Sequence, residues 1–426
     1  MHSFILLISL IIFIILGLPI PVAMGISILI IFVIGNFPLY LLPQILIAGA
    51  SNWVLLAVPF FIIAGGLMNE LGVTVRLFNF ARAAVGHIRG GLAHVNVFVS
   101  MIFAGISGSA VADVGGLGKI EMKAMTDAGF DKKISAGITV VSSVLGPIIP
   151  PSILFVLYGI MAEESIAKLF LAGVFPGILI ATSLMIFIYF QAVKSPKSFP
   201  IEKRASFKKL CLTFKDAMLV LMAPVIILVG MTSGLVSPTE AGAVAILYTI
   251  FVGFIYKEIS WTRFWTPVKE GMIQSANAIS LVAFASVMGY VMIFEKTPQL
   301  LSETVSHISS NPLIILLIFD IFFLIAGCFM SGGALLILLT PIFTPIIKEV
   351  GVDPIHFGVI IVFALTIGGS TPPVGIGLFV MSDIAKMRVE DVIAGVIPYL
   401  FILIVALLII TYFPNISLWL PSILLH

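Results

Sequence analysis

The chain has 426 residues, of which 60% are hydrophobic and only 10% charged, with a formal net charge of +2. Soluble domains carry about 25% charged residues, so no water-soluble fold hides this much apolar surface, and lipid is the solvent for most of the chain. The small net charge argues against a nucleic-acid partner, and the two distant cysteines, Cys211 and Cys328, argue against a disulfide framework or a thiolate metal site.

At roughly 20 residues per span, the length allows about ten to twelve crossings. The opening run, Met1 to Gly17, lacks a basic leader and reads as a retained membrane segment, not a cleaved signal. Apolar stretches lie near 3–35 (divided by Pro19 and Pro21), 42–70, 92–112, 134–160, 169–192 and 217–235. Further stretches lie near 239–256, 275–294, 312–347, 355–381 and 391–415. Backbone in lipid must bond to itself, so these stretches are helices. A run such as Ile5 to Ile15 lacks the alternation of a barrel strand.

The hydrophilic linker 194–216 carries Lys194, Lys197, Lys203, Arg204, Lys208, Lys209 and Lys215. Basic loops stay in the cytoplasm, so this linker sets the orientation. The loops 71–91 and 118–133 are also basic, yet one apolar stretch separates them. A re-entrant hairpin at about 92–117, turning at Ser107-Gly108-Ser109-Ala110, keeps both on the same side. A second hairpin at about 313–348 enters from the other side. This arrangement leaves only Lys168, Lys296 and Lys348, of 22 lysines and arginines, outside.

A repeat at an offset of 222 residues organises the chain. Gly146-Pro147-Ile148-Ile149-Pro150-Pro151 matches Gly368-Gly369-Ser370-Thr371-Pro372-Pro373, and Ala172-Gly173-Val174-Phe175-Pro176 matches Ala394-Gly395-Val396-Ile397-Pro398. Near that offset Ser107-Gly108-Ser109-Ala110 matches Ser331-Gly332-Gly333-Ala334. The predicted fold is therefore an all-α polytopic membrane protein with inverted repeats, 1–193 and 217–426, joined by the linker. Each repeat holds one re-entrant hairpin and one broken helix, at 134–160 and 355–381. Inverted repeats with broken helices put substrate and ion sites near the midplane, at the breaks.

Paired prolines remove backbone donors and obstruct helical bonding before them. Carbonyls freed near Ser142 to Gly146 and Thr366 to Gly368 then need partners, and a dehydrated Na⁺ suits them. The predicted ion ligands are Ser107, Ser142, Ser143, Gly146, Gly332, Thr366, Gly368 and Thr371. The predicted substrate contacts are Ser107, Gly108, Ser109, Pro150, Pro151, Ser331, Gly332, Thr371, Pro372 and Pro373. Broken-helix N-termini can hold a carboxylate without an arginine. The competing reading is that small residues and prolines here only permit close packing and kinks.

Acidic residues in apolar sequence are costly. Asp113 either steers a cation or braces the first hairpin, and Asp320 calls for a partner that the sequence does not name. Glu240, in Ser237-Pro238-Thr239-Glu240, reads as a helix cap. His87, His94, His307 and His356 show no metal-ligand spacing, and no nucleotide or hydrolase motif is present.

The motifs resemble those of the large, DctM-type membrane subunit of tripartite ATP-independent periplasmic (TRAP) transporters. The carriers are Phe103 to Asp113, Leu145 to Ser152, Ser237 to Ala241, Gly351 to Gly358 and Thr371 to Gly375. The resemblance implies a multi-pass protein of the bacterial inner membrane that moves an organic acid, usually with Na⁺. It also implies a small four-helix (Q-type) membrane partner, a periplasmic (P-type) substrate-binding protein and an elevator motion. Two positions depart from the family pattern: Met330 is followed by Ser331 where an acidic residue is common, and Ala364 stands where Asn is common. The alternative reading is a stand-alone cation-coupled carboxylate carrier of similar fold. An intramembrane enzyme lacks a nucleophile–base set.

Overall fold

The computed structural model describes residues 2–309 and 311–425, with the side chains of 302 and 304–308 outside the description; His307 therefore falls outside it, as does Met1. The described residues fold into helices α1 (His2–Ile15), α2 (Ile20–Ile34), α3 (Leu41–Ala50), α4 (Ala57–Glu70) and α5 (Val73–Val85). Next come α6 (Leu92–Ser107), α7 (Ala110–Gly116), α8 (Gly118–Asp127), α9 (Lys132–Ser142), α10 (Ile153–Ala162) and α11 (Ile166–Lys194). After the linker follow α12 (Phe207–Thr232), α13 (Pro238–Tyr256), α14 (Trp261–Phe294), α15 (Thr297–Ile308) and α16 (Pro312–Phe329). The chain closes with α17 (Gly332–Glu349), α18 (Pro354–Gly368), α19 (Ile376–Ala385), α20 (Val389–Tyr412) and α21 (Asn415–Leu424). Among the described residues, eight helical spans are long and apolar enough to cross a membrane.

Local chemistry explains the boundaries. The first hairpin turns at Gly108, which caps α6 at φ +61, a conformation that favours glycine. Ser109 then sits extended and accepts from the Ala112 N–H at 3.4 Å. The second hairpin turns through extended Met330 and Ser331. Asp131 and Asp353 cap α9 and α18 through their carboxylates, and Pro354 fills the first helical turn, where no donor is needed. Glu240 completes a capping box with Ser237, as its motif suggests. Ser237→Ala is expected to lower the thermal midpoint in detergent, through a loss of about 1 kcal/mol, while leaving transport intact.

Several segments read as loops are helical. The loop 71–91 contains α5 and 118–133 contains α8; the linker gives its last ten residues to α12. The first hairpin is correspondingly asymmetric: its outgoing limb α7 bends at Leu117 into α8, past the expected end at 117. Charge content obscured α8. Lys119, Lys123 and Asp127 line one exposed face, while Gly118, Glu121, Met122 and Met125 are buried on the other.

The two halves interlock. Helix α9 packs on α20, and α10 packs on α17 and α18. Tyr158 donates to the Pro354 carbonyl at 2.7 Å, and its ring fills the space left by Gly358. Ion pairs Lys133–Asp391 and Lys348–Glu164, both 2.9 Å, tie the halves at two further places. Separately, α4 packs against α13 and α14, and α3 against α14.

Candidate functional site

Both hairpin tips and both helix breaks meet around one cavity of about 160 Å³. The first hairpin contributes Gly108, Ser109, Ala110 and Val111; the second contributes Ser331, Gly332 and Gly333. The first break contributes Ser143, Pro147, Ile153 and Leu154, and the second Leu365, Thr366, Gly369, Ser370, Ile376 and Gly377. No charged side chain lines it among the described residues. Its polar surface is hydroxyl and backbone, the donor set suited to a hard cation or to a carboxylate lying on helix ends.

Gly108, Ser109, Ser143, Ser331, Gly332 and Thr366, all singled out from the sequence, line this cavity. Ser107, Ser142, Gly146, Pro150, Pro151, Gly368, Thr371, Pro372 and Pro373 do not line it, and Pro373 is exposed. The Ser107 hydroxyl donates to Asp113 beneath the tip. Ser142 donates to the Asn96 side chain at 2.7 Å and accepts from Ser100 at 3.0 Å. Gly146 packs against Ser109, Ala110 and the Asp113 carboxylate, where a Cβ would lie 2.6 Å from Oδ2. Gly368 packs against the backbone of Gly327 in α16. Pro150 and Pro151 abut the first hairpin near Gly105 and Gly108. The Pro150–Pro151 and Pro372–Pro373 peptide bonds are both cis.

The breaks satisfy more of their own backbone than the prolines suggest. Leu145 O accepts from Ile148 and Ile149, Ile367 O accepts from Ser370 N and Thr371 Oγ1, and Gly368 O accepts from Thr371 N. The expectation that these carbonyls await a partner is corrected for these three. Tight turns and a side-chain hydroxyl replace the missing helical donors. The Ser143 hydroxyl bonds back to Val140 O at 2.7 Å, and Thr366 to Val362 O at 2.6 Å. Both keep acceptor capacity facing the cavity.

Two buried carboxylates stand behind the first hairpin. Asp113 is 1% exposed; one oxygen accepts from Ser107 and the other has no hydrogen-bond partner among the described residues. Glu121, which sequence reading passed over as a loop residue, is fully buried beside Asn96 and Thr139 and lies within electrostatic reach of Asp113. Asn96 donates to Thr139 at 2.7 Å, linking α6 to α9. The partner of Asp320 is the Thr411 hydroxyl, 2.9 Å away on α20. Glu240 lies in its cap, apart from the cavity.

The family model of the tripartite ATP-independent periplasmic transporter, DctM component, matches residues 7–416. The chain is 41% identical to the sialic acid TRAP transporter large permease protein SiaM of Vibrio cholerae, over 90% of this chain and 89% of that protein. It is 40% identical to the C4-dicarboxylate TRAP transporter large permease protein DctM of Pseudomonas aeruginosa, over 88% and 87%. Its fold is similar to the crystal structure of the Alcanivorax borkumensis YdaH transporter, with a TM-score of 0.64 at 15% identity, covering 87% of this chain and 86% of that one. By length, composition, helix content and these matches, the chain belongs to the tripartite ATP-independent periplasmic transporter family as a DctM component, a multi-pass inner-membrane permease subunit and not an enzyme.

Proposed function

We propose that this subunit imports an organic acid together with Na⁺, and that the acid and the ions occupy the cavity between the hairpin tips and the breaks. The observation that carries the proposal is the convergence of four segments, far apart in sequence, on one small cavity rich in hydroxyls and, among the described residues, free of charged side chains. A transported carboxylate held there meets backbone donors and a co-bound cation instead of a fixed arginine, so both charges leave together. Two relatives named for carboxylate substrates, sialic acid and C4-dicarboxylates, support the substrate class. Ser143 and Thr366 are the best-placed Na⁺ ligands, with Asp113 supplying a compensating charge behind them. Ser109, Ser331, Gly332 and Ser370 are the best-placed substrate contacts.

In this reading 1–193 and 217–426 are inverted repeats. The elements α6 to α11 and α16 to α20, interlocked across the halves, form the body that moves; α4, α13 and α14 belong to the scaffold. A periplasmic binding protein delivers the substrate and a small four-helix membrane subunit completes the complex, as the tripartite family description supports. The test is thermal stability of the detergent-solubilised protein in NaCl, with KCl and choline chloride at matched ionic strength. A ligand confined to the folded state stabilises it by RT ln(1 + [L]/Kd), about 2.7 kcal/mol at a hundredfold excess over Kd. Stabilisation specific to Na⁺, lost in Ser143→Val, is expected. An identical response to all three salts would overturn sodium coupling.

A further inference from the structure

A second cavity, of about 970 Å³, opens away from the transport site between α5, the linker, the start of α12 and the turn before α14. Five cationic side chains line it against three carboxylates. Two of the cations are engaged. The Arg82 Nε lies 2.8 Å from Glu202, which pins the linker to α5. Arg76 lies 3.8 Å over the Tyr256 ring and 3.9 Å from Glu258, and Glu258 is itself claimed by Arg263. The other three, Lys203, Arg204 and Lys209, have no side-chain hydrogen bond or ion pair among the described residues. They stand beside the Ser206-capped end of α12, whose backbone N–H groups add positive potential.

The surroundings fit a membrane surface. Phe207, the residue after Ser206, is 80% exposed, and Trp261, three residues past Glu258, is 79% exposed. Trp265 stacks edge-on against Trp261. Exposed Trp and Phe next to a basic linker belong at the headgroup level of the cytoplasmic leaflet. Helix α5, with 13 residues, is too short to cross and buries Leu77, Phe78 and Ala81 beneath its polar face.

We infer that this cavity binds the phosphate headgroup of an anionic phospholipid of the cytoplasmic leaflet, through Lys203, Arg204 and Lys209. Basic side chains near such a surface each add about 1 kcal/mol of attraction, and a bound headgroup would clamp the linker that joins the two halves. A soluble phosphate compound carries the same chemistry; the exposed aromatic rim favours the lipid.

The test uses the full chain in neutral detergent, with Trp53 and Trp419 changed to Phe so that Trp261 and Trp265 report. Quenching by bromine-labelled phosphatidylglycerol is compared with that by labelled phosphatidylcholine, with inorganic phosphate at matched ionic strength as competitor. Phosphatidylglycerol is expected to bind more tightly, with affinity falling about fivefold for each charge removed among Lys203→Ala, Arg204→Ala and Lys209→Ala. Lys203→Arg with Lys209→Arg should retain it, and guards against loss of fold in the alanine variants. Equal quenching by both lipids, or an alanine variant that binds as well as the parent, overturns the site. Displacement of the lipid by inorganic phosphate at or below the lipid's own concentration overturns the lipid as its source and assigns the cavity to a soluble phosphate.

Discussion

Replacing Gly137 by valine is expected to remove the folded protein from the membrane fraction. Helices α9 and α20 cross with Gly137 against the Gly395 carbonyl and Gly395 against the Lys133 carbonyl, so close that no Cβ fits at either position. Both obstacles are backbone, so no side chain can swing aside. The helices must part along the whole seam, which also carries the Lys133–Asp391 ion pair. Overpacking of this kind costs about 3 kcal/mol, a large share of the roughly 5–15 kcal/mol that keeps a protein folded. Fluorescence-detected size exclusion should show loss of the monodisperse peak. Gly115→Val is the control: it is also helical, a Cβ there meets nothing within 4 Å, and the peak should survive.

Under the proposed Na⁺ coupling, Asp113→Asn is expected to lower uptake in sealed vesicles at least about tenfold, with the folded protein retained. The substitution preserves size and still accepts from Ser107, so the hairpin keeps its brace. It removes the capacity for negative charge at a buried carboxyl with no basic partner among the described residues, where only a bound cation would make ionisation favourable. If the charge balances a cation at the first break, the concentration of Na⁺ needed for half-maximal uptake rises. Uptake and sodium dependence equal to the parent would reduce Asp113 to a hairpin brace. Asp113→Ala separates the two roles further, because it also frees the Ser107 hydroxyl and should lower the thermal midpoint.

Much of the architecture was legible because its rules are local. Two prolines in a row cannot sit inside a helix, so both breaks could be placed from sequence. A Ser-Gly-Ser-Ala run between basic loops marks a turn, and the chain turns at Gly108 and Ser109. Ser237-Pro-Thr-Glu240 contains its own cap, and that cap forms. Lipid strengthens each of these rules, because water is not there to rescue a misplaced backbone group.

Tertiary structure alone decided which polar groups are buried together. Lys119 and Lys123 made 118–133 look like a loop, yet the opposite face of α8 buries Glu121. Asn96, Ser100, Thr139 and Ser142 form one network although the sequence separates its halves by some forty residues. The Thr411 partner of Asp320 lies 91 residues away. Of the residues near the breaks, Ser143 reaches the cavity while its neighbour Ser142 turns to Asn96. The sequence by itself determined the stops at the paired prolines, at the first hairpin turn and at the Ser237 cap, because steric and capping rules act over a few residues. It did not determine which stops meet, because that depends on helix packing across the two halves, down to the bare glycines that let α9 and α20 touch.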